Sequence, residues 1–279
     1  MRVEQLGDGE PDLAVVGAVH GDEPCGVRAI ERLLEDDLNV LRPVKLVVVN
    51  ERALEAGVRY TDADLNRAFT DEIPEDAHER DLAKRLGDEI RGCTVLSIHS
   101  TQSHADPFAI ASGVGGFVSE IAPRLPVAAL VDTQDFGEGR LFATDADIIE
   151  VEAGLQGTDT AAENAYRLAR AFLTATGAIP GDAPARDLPV FRMGDPIAKP
   201  RGEEYEVFVE NFERVEAGQT FAAVDGEELT AAESFWPVLL SPYGYVDQFG
   251  YRGTSEGRLS PQSSEGANST SVNSRSSAQ

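Results

Sequence analysis

Short runs of consecutive apolar residues alternate with longer amphipathic stretches along the first two thirds of the chain. This alternation is typical of an α/β protein. Because the apolar runs are nearly continuous, we expect both faces of the sheet to be covered, as in a parallel or mixed sheet. The predicted strands span residues 13–20, 44–50, 94–100, 127–133 and 147–154, and the predicted helices span residues 24–37, 77–91 and 158–176.

The pattern changes after residue 178. Proline and glycine are dense in residues 177–189, which interrupts regular elements and is typical of a linker between domains. Short β-type runs separated by turn residues follow. We therefore predict a main domain at residues 1–178, a small β-rich domain at 187–253 and a serine-rich, disordered tail at 254–279.

The chain is strongly acidic, with a formal net charge of −25. This excludes a nucleic-acid-binding role that depends on neutralising phosphates. Among the 24 basic residues only Lys45, Lys84 and Lys199 are lysines. High acidity with so few lysines indicates a halophilic protein, because concentrated salt screens the repulsion between like charges.

Cysteine content and hydropathy indicate the cellular compartment in which the protein is expected. Cys25 and Cys93 are too few for a disulfide framework, and both are predicted to be buried. The first residues lack the basic start and long apolar run of a secretory leader, and no stretch reaches the roughly 18 apolar residues of a membrane span. We predict a cytoplasmic protein without a membrane partner.

A histidine and a glutamate follow the first apolar run at short spacing. His20 stands where the run ends, and Glu23 follows three residues later, where the next helix is predicted to begin. Two ligands in this arrangement can converge on one metal ion. A catalytic zinc site needs three protein ligands and an open position, and two histidines with one glutamate form such a set.

The third ligand must come from His78, His99 or His104, because the chain has four histidines. His99 stands at the carboxyl end of another buried run, and ligands of α/β sheets gather at that edge. We therefore predict one zinc ion per subunit, held by His20, Glu23 and His99. His78 is interpreted as a solvated helix residue, whereas His104 stays open as a substrate contact or an alternate ligand.

A hydrolytic metal site also benefits from a carboxylate that takes a proton from water. Glu150 and Glu152 stand near the end of the predicted strand at 147–154, on the same face. Glu152 is closer to the strand end and is the predicted base. Arg59 and Arg67 flank a dense polar loop, and arginines bind carboxylates bidentately, so they indicate a substrate with carboxylate groups.

Four segments resemble the succinylglutamate desuccinylase/aspartoacylase family of zinc-dependent deacylases, which is part of the carboxypeptidase A-like superfamily. They are HGDE at 20–23, RYTDADLNRAF at 59–69, SIHST at 97–101 and EAGLQG at 152–157. The resemblance extends over about residues 13–253. It implies an α/β fold with a mixed, mostly parallel sheet flanked by helices, like that of zinc carboxypeptidases, and a β-rich C-terminal cap.

The resemblance also implies roles for single residues. His20, Glu23 and His99 match the family's zinc ligands, and Glu152 matches its general acid/base. Arg59 matches the arginine that helps to polarise the scissile carbonyl.

The substrate contacts implied by the resemblance come from the polar loop and the cap. Asn66 and Arg67 match residues that bind the carboxylate of the amino-acid product, and Asp64 is expected to orient their loop. The cap of the family contributes a tyrosine, for which Tyr243 and Tyr245 are candidates. Tyr245 is the better match by its distance from the Trp-Pro pair at 236–237.

Together these residues predict a zinc-dependent hydrolase that cleaves the amide bond of a small N-acyl amino acid. One alternative is a metallocarboxypeptidase that acts on peptides, and another is a non-catalytic module that binds zinc or a small acid. In some members of the family an arginine shortly before the catalytic glutamate holds the substrate's side-chain carboxylate. Arg140 is the nearby candidate, but it aligns only with an insertion, so specificity for an acidic side chain stays open.

Overall fold

The computed structural model describes residues 1–134, 136 and 139–260. The predicted α/β fold is confirmed, with strands and helices alternating before residue 178 and, among the described residues after it, strands alone. The strands are β1 Arg2–Leu6, β2 Leu13–Gly17, β3 Val44–Val48, β4 Thr94–Thr101, β5 Phe108–Ala111, β6 Leu130–Asp132, β7 Asp147–Leu155, β8 Leu188–Ala198, β9 Tyr205–Val207, β10 Thr220–Val224, β11 Glu227–Thr230, β12 Trp236–Val238 and β13 Gln248–Leu259. The helices are α1 Cys25–Glu35, α2 Glu51–Ala56, α3 His78–Glu89, α4 Phe117–Ile121 and α5 Asp159–Ala175, with 3-10 turns at Leu65–Arg67, Ala122–Arg124 and Leu141–Ala143.

A ten-stranded mixed sheet forms the centre of the molecule, in the order β1-β3-β2-β4-β7-β5-β6-β8-β13-β12. Its middle strands β3, β2, β4 and β7 are parallel, and β5 runs antiparallel to β7. The carboxyl ends of β2, β4 and β7 therefore meet at one edge of the sheet, where ligands of α/β proteins bind. At that edge His99 of β4 lies opposite Glu152 of β7.

Apolar side chains cover both faces of the sheet, and β2 illustrates the cause. Successive side chains of a strand point to opposite faces. Leu13 and Val15 join the core that packs beneath α1 and α5, whereas Ala14 and Val16 join the core beneath α3. Every residue of β2 is buried, as its continuous apolar run predicts.

The β-rich C-terminal region is present, but it divides between two sheets. Strands β8, β13 and β12 extend the central sheet, whereas β9, β10 and β11 form a separate three-stranded sheet. Phe221, Phe235 and Phe249 pack in a small core of this region. Because β8 pairs with β6, residues 187–253 are joined to the main sheet by backbone hydrogen bonds.

The predicted start of the tail at residue 254 is wrong. Strand β13 continues to Leu259, which pairs with Leu188 of β8 and packs at the margin of the main core. Backbone pairing therefore holds a polar segment as a strand although its side chains give little apolar signal. The rest of the predicted tail, residues 261–279, lies outside the described residues. Among the described residues, none of the helices combines the length and apolarity needed to cross a bilayer.

Candidate active site

His20 and Glu23 lie at the corner between β2 and α1. Gly21 lets this corner approach α2 closely, because a Cβ at Gly21 would lie 2.1 Å from a backbone atom of Ala53. The Gly21 N–H also donates a hydrogen bond to the carbonyl of Arg59 at 3.0 Å. The corner is therefore packed tightly against both α2 and the polar loop that follows it.

The structure brings the three predicted ligands together. Nδ1 of His20 lies 2.8 Å from one carboxylate oxygen of Glu23, and Nδ1 of His99 lies 3.0 Å from the other. The ligand atoms all lie within 4.8 Å of one another, and the three side chains are buried. Two imidazole nitrogens and a carboxylate oxygen suit zinc, so this cluster can hold a metal ion.

The far nitrogen of each histidine has its own partner. Nε2 of His20 lies 3.2 Å from Oδ1 of Asp64, and Nε2 of His99 lies 3.1 Å from Oγ of Ser97. Such contacts fix the orientation of a metal-binding imidazole. Sequence reasoning missed Ser97, although the alternation of β4 places it on the same face as His99.

The close charges shift the protonation of the cluster. Burial alone would lower the pKa of His99, but the hydrogen bond and charge of Glu23 raise it to about 9. His20 is also buried, yet Glu23 and Asp64 raise its pKa. Burial would raise the pKa of Glu23, but the two imidazoles hold it well below its usual range. The ionised Glu23 carboxylate is thus stabilised by nearby positive charge, which either protonated histidines or a bound metal cation can supply.

Glu150 and Glu152 lie on the same face of β7 in different surroundings. Glu150 is buried and accepts a hydrogen bond from Nδ2 of Asn66 at 3.3 Å. Oε2 of Glu152 is buried without a hydrogen-bond partner among the described residues. Burial and the charge of Glu23 raise the pKa of Glu152 to about 7. Glu152 is therefore the carboxyl group suited to exchange a proton near neutral pH.

A cavity of about 220 Å³ opens beside the cluster, and every predicted site residue lines it. Its wall is mostly polar, and its larger apolar side chains are Ile110, Leu239 and Tyr245. Tyr245 stands in the loop before β13, whereas Tyr243 is 64% exposed to solvent. The position of Tyr245 in the wall favours it over Tyr243 as the tyrosine that meets a bound molecule.

Arg59 lies between the metal-binding cluster and the polar loop. Its Nη1 donates to Oε1 of Glu23 at 3.1 Å, and its Nε donates to Oδ2 of Asp64 at 3.2 Å. These contacts hold a guanidinium in the cavity wall, close to the carboxylate of the cluster.

Asn66 and Arg67 both line the cavity. Asn66 bridges two elements, since its Nδ2 donates to Glu150 and its Oδ1 accepts from the Leu141 N–H at 2.8 Å. Burial and the charge of Arg140 lower the pKa of Arg67. Besides Arg59, the wall contains the guanidinium groups of Arg67 and Arg140, whose charges act on each other. Such a pair favours an anionic occupant.

His104 lies in an aromatic cluster. Its ring packs edge-on against Phe108 and Phe212, with centroid distances of 6.2 Å and 5.3 Å. These contacts place its ring among phenylalanines, whereas the metal-binding cluster consists of His20, Glu23 and His99.

The sequence is similar to known deacylases over part of its length. Residues 9–113 match the sequence profile of the succinylglutamate desuccinylase/aspartoacylase catalytic domain. An aspartoacylase of Xenopus tropicalis is 30% identical over 108 residues, which cover 33% of this chain and 34% of that protein. A probable aspartoacylase of Nostoc is 27% identical over 167 residues, covering 52% of this chain and 56% of that protein. An N-acyl-aromatic-L-amino acid amidohydrolase of Xenopus laevis is 30% identical over 106 residues, covering 33% and 35%.

The matched segments thus span about one third to just over one half of the length of these curated relatives. The fold is similar over a longer stretch. A succinylglutamate desuccinylase of Silicibacter has a TM-score of 0.75 at 20% identity, covering 91% of this chain and 88% of that chain. Murine aminoacylase 3 has a TM-score of 0.65 at 20% identity, covering 91% and 100%. The profile, the curated aspartoacylases and the shared fold together confirm the resemblance of this chain to the succinylglutamate desuccinylase/aspartoacylase family.

Proposed function

We propose that this protein is a zinc-dependent hydrolase that cleaves the amide bond of a small N-acyl amino acid. The observation that carries the proposal is the buried cluster of His20, Glu23 and His99 with Glu152 beside it in one cavity. When bound to these ligands, zinc supplies a Lewis acid that activates water and polarises a carbonyl.

Glu152 is proposed to move the proton. A carboxylate with a pKa of about 7 can accept a proton from the attacking water and return it to the leaving amine nitrogen. Arg59 places positive charge beside the metal-binding cluster, where it is proposed to stabilise the carbonyl oxygen that becomes negative during attack. Glu152 thus transfers the proton, and Arg59 stabilises the negative charge that forms on the carbonyl oxygen.

The cavity wall supports a small, polar substrate. Arg67 and Asn66 are proposed to bind the α-carboxylate of the amino acid, with Tyr245 as a further substrate contact in the cavity wall. Arg140 offers a second cationic group, which suits a side-chain carboxylate. Among the related proteins are both aspartoacylases and an amidohydrolase for aromatic amino acids, and the predominantly polar wall favours an acidic or other polar side chain over an aromatic one.

A panel of N-acetyl and N-succinyl amino acids tests this proposal, with purified protein in concentrated KCl and added zinc. We expect turnover of a polar acyl amino acid that is lost after chelation and restored by zinc. The Glu152→Ala variant should bind zinc but lack turnover. Release of C-terminal residues from peptides, without activity on the panel, would instead establish the carboxypeptidase alternative. Zinc binding without turnover of either substrate class would establish a binding module.

A further inference from the structure

Glu79 lies outside the cavity, yet its carboxylate is bonded to the loop that carries the polar site residues. Glu79 stands in the first turn of α3 and is fully buried. Its Oε1 accepts from the N–H of Thr61 at 2.7 Å, from the Thr61 hydroxyl at 2.9 Å and from Nδ2 of Asn50 at 3.0 Å. Its Oε2 accepts from the N–H groups of Asp62 at 3.0 Å and Ala63 at 3.1 Å. One side chain thus fixes three consecutive residues of the loop.

The fixed residues lie between two groups that touch the metal-binding cluster. Arg59 precedes them and contacts Glu23, and Asp64 follows them and contacts His20. Arg59 and Asp64 also bond to each other. A displacement of the backbone at 61–63 would therefore change the contacts of both ligands.

We propose that Glu79 is a positioning residue, whose carboxylate sets the loop at 61–63 so that Asp64 and Arg59 orient His20 and Glu23 for metal binding. The inference deepens the proposed function and rests on it. It is independent of substrate identity, because its first consequence is metal affinity.

The central variant is Glu79→Gln, which conserves volume but sets an amide NH₂ against backbone N–H donors. We expect zinc affinity, measured by competition with a chromophoric chelator, to fall about 10-fold or more, as for loss of other partners that orient metal ligands. Amide exchange at residues 61–63 should accelerate in the same variant. The loss in kcat should exceed any change in KM, because the substrate-binding guanidinium of Arg67 lies farther along the chain.

Asp225, an exposed residue in the turn between β10 and β11, provides a control outside the cavity. Its carboxylate also accepts two backbone hydrogen bonds, from the N–H groups of Glu203 and Glu204, each at 2.8 Å. Asp225→Ala removes both bonds and should loosen that turn while zinc affinity and kcat stay at wild-type values. A loss of zinc affinity in Asp225→Ala equal to that in Glu79→Gln would overturn the proposal, since general destabilisation would then explain both.

Two milder variants keep the test decisive if Glu79→Gln does not fold. Thr61→Val removes the hydroxyl bond alone and should weaken zinc binding slightly. Glu79→Asp retains the charge at shorter reach and should restore part of the affinity lost in Glu79→Gln. Wild-type zinc affinity in Glu79→Gln, with fast amide exchange at 61–63, would refute the positioning role. If the wild-type protein hydrolyses no substrate of the panel, the zinc and exchange measurements still test Glu79, so the two failures are distinguishable.

Discussion

At the scale of single residues, two carboxyl groups two positions apart on β7 have been given different surroundings. Glu150 accepts a hydrogen bond from Asn66, whereas Oε2 of Glu152 is buried without a partner among the described residues. Burial disfavours the charged form of an unpartnered carboxyl group. The difference between the two groups comes from their contacts, because their residue type and strand are the same.

The first prediction concerns these two glutamates. Glu152→Gln removes the proton acceptor while keeping the shape of the side chain, so we expect kcat to fall by about 10²–10⁴-fold. Glu150→Gln is the control, since its amide oxygen can still accept from Asn66, and its kcat should stay within about 10-fold of wild type. Steady-state kinetics at saturating zinc measure both variants. Equal losses in the two variants would contradict the assignment of Glu152 as base.

The second prediction concerns the selectivity of the cavity. Arg140 lies in its wall beside Arg67, and a charge-assisted hydrogen bond contributes about 1.5–3 kcal/mol. Arg140→Gln should therefore raise KM at least about 10-fold for N-acetylaspartate and little for N-acetylalanine. Arg67→Gln should raise KM for both, because both have an α-carboxylate. A uniform rise in KM for Arg140→Gln would show that Arg140 does not read the side chain.

At the scale of elements, the sequence predicted the long buried strands and helices. It did not predict short elements, or segments that form a strand only because they pair with a neighbouring strand. Runs such as 44–50 and 94–100 gave β3 and β4 because their apolar residues are consecutive. Helix α2 has six residues and buries Ala53 alone, so its periodicity is too short to recognise. The end of β13 depends on pairing with β8, which local residue types do not encode.

The same distinction applies to the site. His20, Glu23 and His99 were predictable because strand ends and short spacing mark them along the chain. Ser97 and Glu79 depend on how elements pack, and they carry no motif of their own. The position of Arg140 in the cavity wall likewise depends on the fold of residues 139–143, since alignment by spacing alone does not place it.

The third prediction concerns the contact between α3 and the loop. Hydrogen bonds from the loop and from Asn50 outweigh burial and lower the pKa of Glu79 to about 2, from an ordinary value of 4.5. Because its pKa is lower in the folded state than in the unfolded state, ionised Glu79 contributes its full stabilisation above about pH 4.5. This contribution is lost as the pH falls towards 2. The shift corresponds to about 3 kcal/mol. A second hydrogen bond joins α3 to the loop, because the His78 N–H donates to Oδ2 of Asp62 at 2.9 Å.

Urea unfolding at a series of pH values and constant KCl measures this contribution. The free energy of unfolding of the wild-type protein should fall between pH 4.5 and 2 more steeply than that of Glu79→Gln, which has no carboxylate to protonate there. Parallel curves for the two proteins would mean that Glu79 is not a source of the acid sensitivity.

At the scale of the whole molecule, acidic side chains far outnumber basic ones, with 49 Asp and Glu against 24 Lys and Arg. The net charge of −25 is opposed locally by arginines, as where Arg28 and Arg32 of α1 pair with Asp159 and Glu163 of α5. Exposed pairs of this kind contribute little each. The remaining acidic groups repel one another, and this repulsion destabilises the compact state when it is unscreened.

The fourth prediction follows from that imbalance and tests the halophilic interpretation. The Debye length shortens from about 10 Å at 0.1 M salt to about 3 Å at 1 M. Raising KCl over this range should therefore stabilise the protein by a few kcal/mol, which raises the unfolding temperature by roughly 5–10 °C. Thermal unfolding followed by circular dichroism measures the effect. Sucrose at matched water activity is the control, because it favours burial without screening charge. An unfolding temperature that is independent of KCl, or that rises equally with sucrose, would indicate an acidic protein not adapted to salt.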